Sequence, residues 1–303
     1  MNSLVEKIRE LKKEKEAIIL AHNYQLPEVQ DIADFVGDSL GLSIKASETS
    51  AKVIVFCGVY FMAETAKILS PDKTVLIPDK DAGCPMADMI TASQLKELKQ
   101  NHPQAKVLSY VNTPAEVKAE SDFACTSANA VKMVNSALKD EEGVIFVPDK
   151  NLASYVSSQT GKKFILWEGY CPSHIKISAK DILNKKRIYP QAEVLVHPEC
   201  KEEVVSLADK VLSTEGICRY VKSSPGKEFI IGTEPGIIHR LKKENSDKEF
   251  YPASEEAVCP DMKQINLEKV LRSLENEEYK VELPSEIIKK ARLSIERMIN
   301  CTD

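Results

Sequence analysis

The chain has 303 residues, a formal net charge of −5, 43% hydrophobic and 29% charged residues, the proportions of a soluble globular protein. Mild acidity argues against a broad nucleic-acid surface, and no apolar run approaches the roughly 20 residues that cross a bilayer. The N-terminal stretch MNSLVEKIRELKKEKEA is charged throughout, so no signal peptide is expected and the chain is expected to be cytoplasmic.

In chain order, apolar β-rich runs at 17–21, 53–57 and 74–77 predict strands, followed by a loop with Cys84 and a helix over 92–100. The next stretch predicts strands at 107–111, 123–126, 144–147 and 164–167, alternating with helices at 115–119, 128–138 and 151–158. A loop with Cys171 and a helix over 179–186 follow. The last stretch predicts strands at 194–197, 211–213, 229–231 and 249–251, then Cys259, a helix over 267–274 and a final helix over 285–299. Continuous apolar strands alternating with helices predict an α/β fold of parallel sheets covered on both faces.

The chain also repeats. Three of its eight cysteines precede proline, at Cys84-Pro85, Cys171-Pro172 and Cys259-Pro260, spaced by 87 and 88 residues. At the same offset Pro103-Gln104-Ala105-Lys106-Val107-Leu108 recurs as Pro190-Gln191-Ala192-Glu193-Val194-Leu195. Asp34-Phe35 aligns with Asp122-Phe123, and Asp122 with Asp209. Three αβα units are therefore expected, over 1–103, 104–190 and 191–303 with the C-terminal helix, around a pseudo-threefold axis.

Parallel α/β sheets bind ligands beyond the carboxyl ends of their strands, so residues at equivalent strand ends are informative. The first strands end at His22, Tyr110 and His197, and the second at Ser39, Ser127 and Thr214. The loops after the last strands hold Cys84, Cys171 and Cys259. Hydroxyls between a strand and a following helix, with the helix's free N–H groups, suit an oxyanion. Thiolates select zinc, Cu(I) or an iron–sulfur cluster. Three related cysteines suit a [4Fe–4S] cluster with one open iron, whereas His174 as a fourth ligand would make a Cys₃His zinc site. Packing alone does not explain the shared Cys-Pro register. There is no CxxC pair; Cys57 and Cys125 read as packing residues, and Cys200, Cys218 and Cys301 have no argued role. Glu141-Glu142 and Lys242-Lys243-Glu244 read as solvated faces.

The motifs Ala21-His22-Asn23-Tyr24-Gln25, Asp31 through Ser39, Phe61-Met62-Ala63-Glu64, Tyr110-Val111-Asn112, Thr126-Ser127-Ala128-Asn129-Ala130 and Pro148-Asp149-Lys150-Asn151-Leu152 belong together. So do Cys171-Pro172-Ser173-His174, His197-Pro198-Glu199-Cys200, Gly232-Thr233-Glu234 and Cys259-Pro260-Asp261-Met262-Lys263. With them the chain resembles the quinolinate synthase family over nearly its whole length. The resemblance implies three αβα domains around a [4Fe–4S] cluster held by Cys84, Cys171 and Cys259. It implies condensation of iminoaspartate with dihydroxyacetone phosphate to quinolinate, the former supplied by an aspartate-oxidising enzyme, with no nucleic acid or membrane as partner. It further implies Glu199, Tyr24, His22, Tyr110 and His197 as catalytic residues. The substrates would be bound by His22, Ser39, Tyr110, Val111, Asn112, Ser127, His174, His197, Pro198, Glu199 and Thr214. His174 is either a donor beside the cluster or a phosphate contact. Tyr60, where the family often has Asp or His, and the segment Trp167-Glu168-Gly169-Tyr170 depart from the pattern and put local pocket shape in question. Two rivals share the three-cysteine count. One is a cluster enzyme of the diphthamide-synthesis or hydroxymethylbutenyl diphosphate reductase type; the other is a non-enzymatic zinc-stapled or redox-sensing binding protein.

Overall fold

A computed structural model describes residues 2–301. Within it the apolar runs form three four-stranded sheets, all parallel and all with one topology. The first contains β1 (Ala17–His22), β2 (Phe35–Gly37), β3 (Val53–Cys57) and β4 (Thr74–Leu76), in the order β2-β1-β3-β4. The second repeats it with β5 (Lys106–Tyr110), β6 (Phe123–Cys125), β7 (Val144–Val147) and β8 (Ile165–Leu166), ordered β6-β5-β7-β8. The third has β9 (Glu193–Val196), β10 (Lys210–Val211), β11 (Glu228–Gly232) and β12 (Glu249–Pro252), ordered β10-β9-β11-β12. In each sheet the chain runs outward one way from the first strand and returns on its other side. The switch point, and hence the crevice for a ligand, lies at the carboxyl end of that first strand.

The helices of the first unit are α1 (Asn2–Glu14), α2 (Pro27–Ile32), α3 (Ser39–Glu48) and α4 (Tyr60–Leu69), followed by the linking α5 (Ala92–Asn101). The second has α6 (Ala115–Ala119), α7 (Ala130–Ser136) and α8 (Lys150–Thr160), then the linking α9 (Ala179–Ile188). The third has α10 (Glu202–Val205), α11 (Thr214–Ser223), α12 (Ile237–Glu244), α13 (Leu267–Asn276) and α14 (Ser285–Ile299). Each linking helix packs on the unit that follows it: α5 on α6, and α9 on β11. The equivalent α13 packs back on α1 and β3, which closes the ring, while α14 lies on α6, β6 and α4. Residues 279–281 add an antiparallel edge to β4 through Ile77 N to Tyr279 O and Val281 N to Val75 O. Helix α1 was not anticipated. Its charged sequence hides an apolar stripe of Leu4, Val5, Ile8 and Leu11 that packs against the largest apolar cluster.

The repeated aspartates have a structural purpose. Asp34, Asp122 and Asp209 each accept, through Oδ2, the N–H of a residue in the first strand: Ile19 at 2.8 Å, Val107 at 2.8 Å and Val194 at 2.7 Å. Each also returns its own N–H to that residue's carbonyl. The carboxylate and the backbone N–H of each aspartate together satisfy both polar groups of a first-strand residue just before the second strand begins pairing, which fixes register identically three times.

Candidate active site

The carboxyl ends of the three sheets face one another across one shared pocket. Cys84, Cys171 and Cys259 all line it. Each Cys-Pro pair opens a tight turn that leads into a single 3₁₀ turn: Ala87–Met89, His174–Lys176 and Asp261–Lys263. The turn brings the N–H of the residue three positions on, Ala87, His174 or Met262, back onto the cysteine sulfur. Burial pushes all three thiols up; Cys259 adds to the rise of Cys84, and Cys84 to that of Cys171. Three half-buried cysteines, each with an amide donor to its sulfur, form a donor set that becomes thiolate when a soft metal binds. The residues present therefore fit an iron–sulfur group. A second metal-competent set overlaps it: donor atoms of Cys171, His174 and Glu199 lie within 4.8 Å of one another.

The histidines on the first-strand ends are held as neutral donors. His22 Nδ1 accepts the N–H of Tyr24 at 3.2 Å, and His197 Nδ1 accepts that of Glu199 at 3.4 Å. The proton of each ring therefore sits on Nε2. Both are lowered to about 3, chiefly by burial; neighbouring His197 adds to the effect in His22, and Glu199 partly opposes it in both. His197 Nε2 donates to Ser127 Oγ at 3.1 Å, so the Ser127 proton is free to point elsewhere.

Glu199 is buried between two donors. Tyr110 donates its hydroxyl to Oε1, and His174 Nδ1 lies 2.8 Å from Oε2. Burial alone would raise this carboxyl. The adjoining imidazoles of His174 and His197 and the hydrogen bonds donated by His174 and Tyr110 outweigh it, so Glu199 is held below the usual carboxylate range. With Nδ1 of His174 as donor, its Nε2 accepts from Thr233 Oγ1 at 2.8 Å, and Thr233 in turn accepts the hydroxyl of Tyr24. A continuous chain, Tyr24 to Thr233 to His174 to Glu199, thus runs along one wall. His174 also stacks on His197 with ring centroids 4.8 Å apart, and its Nδ1 is 3.1 Å from Cys171 Sγ.

Residues 6–300 match the model of the family described as "Quinolinate synthetase A protein". The chain belongs to that family. It is 58% identical over 293 residues to the quinolinate synthase of Dehalococcoides mccartyi strain CBDB1, covering 97% of this chain and 96% of that one. It is 55% identical over 296 residues to the quinolinate synthase of Methanosarcina barkeri strain Fusaro, covering 98% and 97%. The Pyrobaculum aerophilum quinolinate synthase is 52% identical over 303 aligned residues, covering 97% and 98%. The chain is thus an enzyme of the quinolinate synthase kind, and no helix among the described residues is long and apolar enough to cross a membrane.

Of the residues singled out from the family pattern, His22, Tyr24, Ser39, Tyr110, Asn112, Ser127, His174, His197, Glu199 and Thr214 line the pocket with the three cysteines. Val111 and Pro198 sit in the same turns but are not among the lining residues; Val111 donates its N–H to Cys125 O and accepts that of Thr113. Asn112 Oδ1 is buried without a partner, as expected of a group that meets a ligand.

Asp38, Thr126 and Glu234 also line the pocket and were not given roles from sequence. Thr233 and Glu234 follow the third strand of their unit. Extending the strand-end comparison to β3, β7 and β11 would have found them. The unusual segment 167–170 docks on the turn after Cys84, where Trp167 Nε1 donates to Met89 O at 2.8 Å. Tyr60, the other departure, is half-exposed and does not line the pocket.

Behind the Asn112 turn lies a fully buried lysine. Lys118 Nζ donates to Thr113 O and sits 5.3 Å from the ring centre of Phe61, a pocket residue. Burial lowers Lys118 and raises Glu64, and each opposes that effect in the other. Glu64 Oε2 accepts the N–H of Ala115 at 3.1 Å. Lys118→Met is expected to leave Glu64 without its cation and Thr113 O without its donor. The expected cost is about 3 kcal/mol of unfolding free energy, measured by urea denaturation of the metal-loaded protein.

Proposed function

We propose that the chain condenses iminoaspartate with dihydroxyacetone phosphate to quinolinate, releasing phosphate and water, in the pocket shared by its three units. On this reading residues 1–103, 104–190 and 191–303 each contribute one cysteine to a [4Fe–4S] cluster. The observation that supports it best is the threefold cysteine turn, with its amide donor to each sulfur. When bound, such a cluster supplies a Lewis acid that eases departure of a poor leaving group such as hydroxide.

The chain's own residues then bind, orient and move protons. Ser39 and Thr214 begin ten-residue helices, α3 and α11, whose N-termini face the pocket and favour an oxyanion. With Ser127 they bind the phosphate of the triose. Tyr110, Asn112 and His22 orient the two carboxylates of iminoaspartate, with the Val111 and Pro198 turns as backbone supports. Glu199, kept ionised, accepts a proton as the carbon skeleton rearranges, and His197 holds Ser127 in place for phosphate. Tyr24 delivers or receives a proton through Thr233 and His174, which gives His174 a part in the relay rather than in phosphate binding. An aspartate-oxidising enzyme supplies iminoaspartate, and the reaction takes place in the cytoplasm.

The test is anaerobic purification followed by assay. A brown protein with about four irons per chain that makes quinolinate without added reductant is expected. The Cys171, His174 and Glu199 set supports a second reading, a single zinc ion. A colourless, active protein with one zinc would favour it and overturn the cluster. An iron-loaded protein that needs an electron donor at every turnover would overturn the non-redox chemistry.

A further inference from the structure

Thr214 obtains its orientation from outside the pocket. Its Oγ1 accepts a hydrogen bond from Asn23 Nδ2 at 2.9 Å, and Asn23, fully buried, comes from the first unit. The amide of an asparagine can point either way unless a neighbour decides. Here the neighbour is Arg240 on α12, whose Nη1 donates to Asn23 Oδ1 at 3.0 Å. A guanidinium has only donors, so the amide oxygen must face Arg240 and the amide N–H must face Thr214. The hydroxyl of Thr214 then has a lone pair occupied and its proton uncommitted, since among the described residues it has no other partner. Thr214 lines the pocket, so that proton is offered to a ligand acceptor.

Arg240 is itself fixed. Its Nη1 and Nη2 grip Glu215, the residue after Thr214, at 2.7 and 3.3 Å, and its Nε holds Glu244 at 2.6 Å. Beside it His239 and Lys243 both reach Asp31 of α2, at 3.0 and 2.6 Å, which ties α12 to the first unit. Glu215 and Glu244 more than neutralise the guanidinium. Arg240 therefore brings no net positive charge to the site; its effect is orientation.

We propose that Arg240 is a positioning residue that, through Asn23, sets the Thr214 hydroxyl as a donor to an anionic ligand oxygen, here the phosphate of the triose substrate. The inference rests on Thr214 being a phosphate contact. His197 does the same for Ser127 by filling its acceptor site at 3.1 Å. The relay differs in crossing between the first and third units, so it ties phosphate recognition to their correct docking.

The experiment compares Arg240→Met, Arg240→Lys, Thr214→Val and the double variant Arg240→Met/Thr214→Val, with Lys242→Gln, an exposed neighbour on α12, as a control, all iron-loaded. Arg240→Met is expected to raise KM for dihydroxyacetone phosphate and the inhibition constant of inorganic phosphate about tenfold, the scale of one mis-set hydrogen bond to a charged group. It should leave kcat, KM for iminoaspartate and iron content within about twofold, since P–O recognition alone is affected. Arg240→Lys, which can still donate to Asn23, should recover part of the loss, and Lys242→Gln should behave as the parent. The double variant should be no worse than Thr214→Val alone, because the relay acts only through that hydroxyl. If the two losses multiply, or if Arg240→Met affects both substrates equally while lowering Tm, the relay is wrong although Thr214 still binds phosphate. If Thr214→Val itself leaves both phosphate constants unchanged, the phosphate role of Thr214 fails and the relay with it.

Discussion

Cys84→Ala, Cys171→Ala and Cys259→Ala are each expected to abolish both iron binding and quinolinate formation, whereas five other single cysteine variants should retain a cluster. Those five are Cys57→Ala, Cys125→Ala, Cys200→Ala, Cys218→Ala and Cys301→Ala. Burial cannot separate the two groups. Cys57, Cys125, Cys200 and Cys218 are the more deeply buried, and burial pushes their thiols up as it does those of the other three. The difference is architectural. Cys57 and Cys125 end strands β3 and β6, so their side chains belong to the sheet's packing layer. Cys84, Cys171 and Cys259 follow the last strand of each unit, precede proline and line the common pocket. Alanine at a packing position removes a small hydrophobe and costs on the order of 1 kcal/mol of stability. At a ligand position it removes a third of the protein's hold on the group. Iron and sulfide content of the eight anaerobically purified variants is the measurement. A cluster retained in Cys84→Ala, or lost in Cys200→Ala with the fold intact, would overturn the assignment.

Much of this arrangement could be read from the chain because the fold states it three times. The Cys-Pro spacing marks equivalent points, and the aspartates Asp34, Asp122 and Asp209 mark another, with a backbone function that explains why the residue type recurs. Strand ends then identified His22, Tyr110 and His197 as neighbours although they are far apart in sequence. What could not be read depends on contacts between units. Lys242-Lys243-Glu244 is a solvated face, as its composition implies, but composition does not say that Lys243 also reaches Asp31 where α12 docks against α2. The same holds for α14. It follows the third unit in the chain but packs on the second, where Ser294 Oγ bonds Lys118 O at 2.9 Å. Hydrophobic periodicity reports that a helix has a buried face, not which neighbour covers it.

Glu199→Gln is the variant expected to separate proton transfer from assembly of the site. Glutamine has nearly the shape of glutamate, and its Oε1 still accepts the hydroxyl of Tyr110. Its Nε2 would present hydrogens to His174 Nδ1, where the carboxylate accepted one at 2.8 Å. His174 can answer by moving its proton to Nε2, which then donates to Thr233 Oγ1 across the existing 2.8 Å contact. The hydrogen-bond chain to Tyr24 survives with its direction reversed, so the wall stays satisfied and the pocket keeps its form. Two things are lost: a group able to take up a proton, and the sense in which the chain passes one. Iron content and the affinity for a quinolinate-like dicarboxylate are therefore expected to remain within about threefold of the parent, since every hydrogen-bond partner along the wall stays satisfied. The rate of quinolinate formation is expected to fall by roughly 10²–10⁴, the usual contribution of a positioned acid or base. Anaerobic steady-state assay beside a dicarboxylate titration measures both. Full activity in Glu199→Gln would remove Glu199 from proton transfer. Loss of iron in the same variant would instead assign it to holding the metal, as the overlapping set of Cys171, His174 and Glu199 allows.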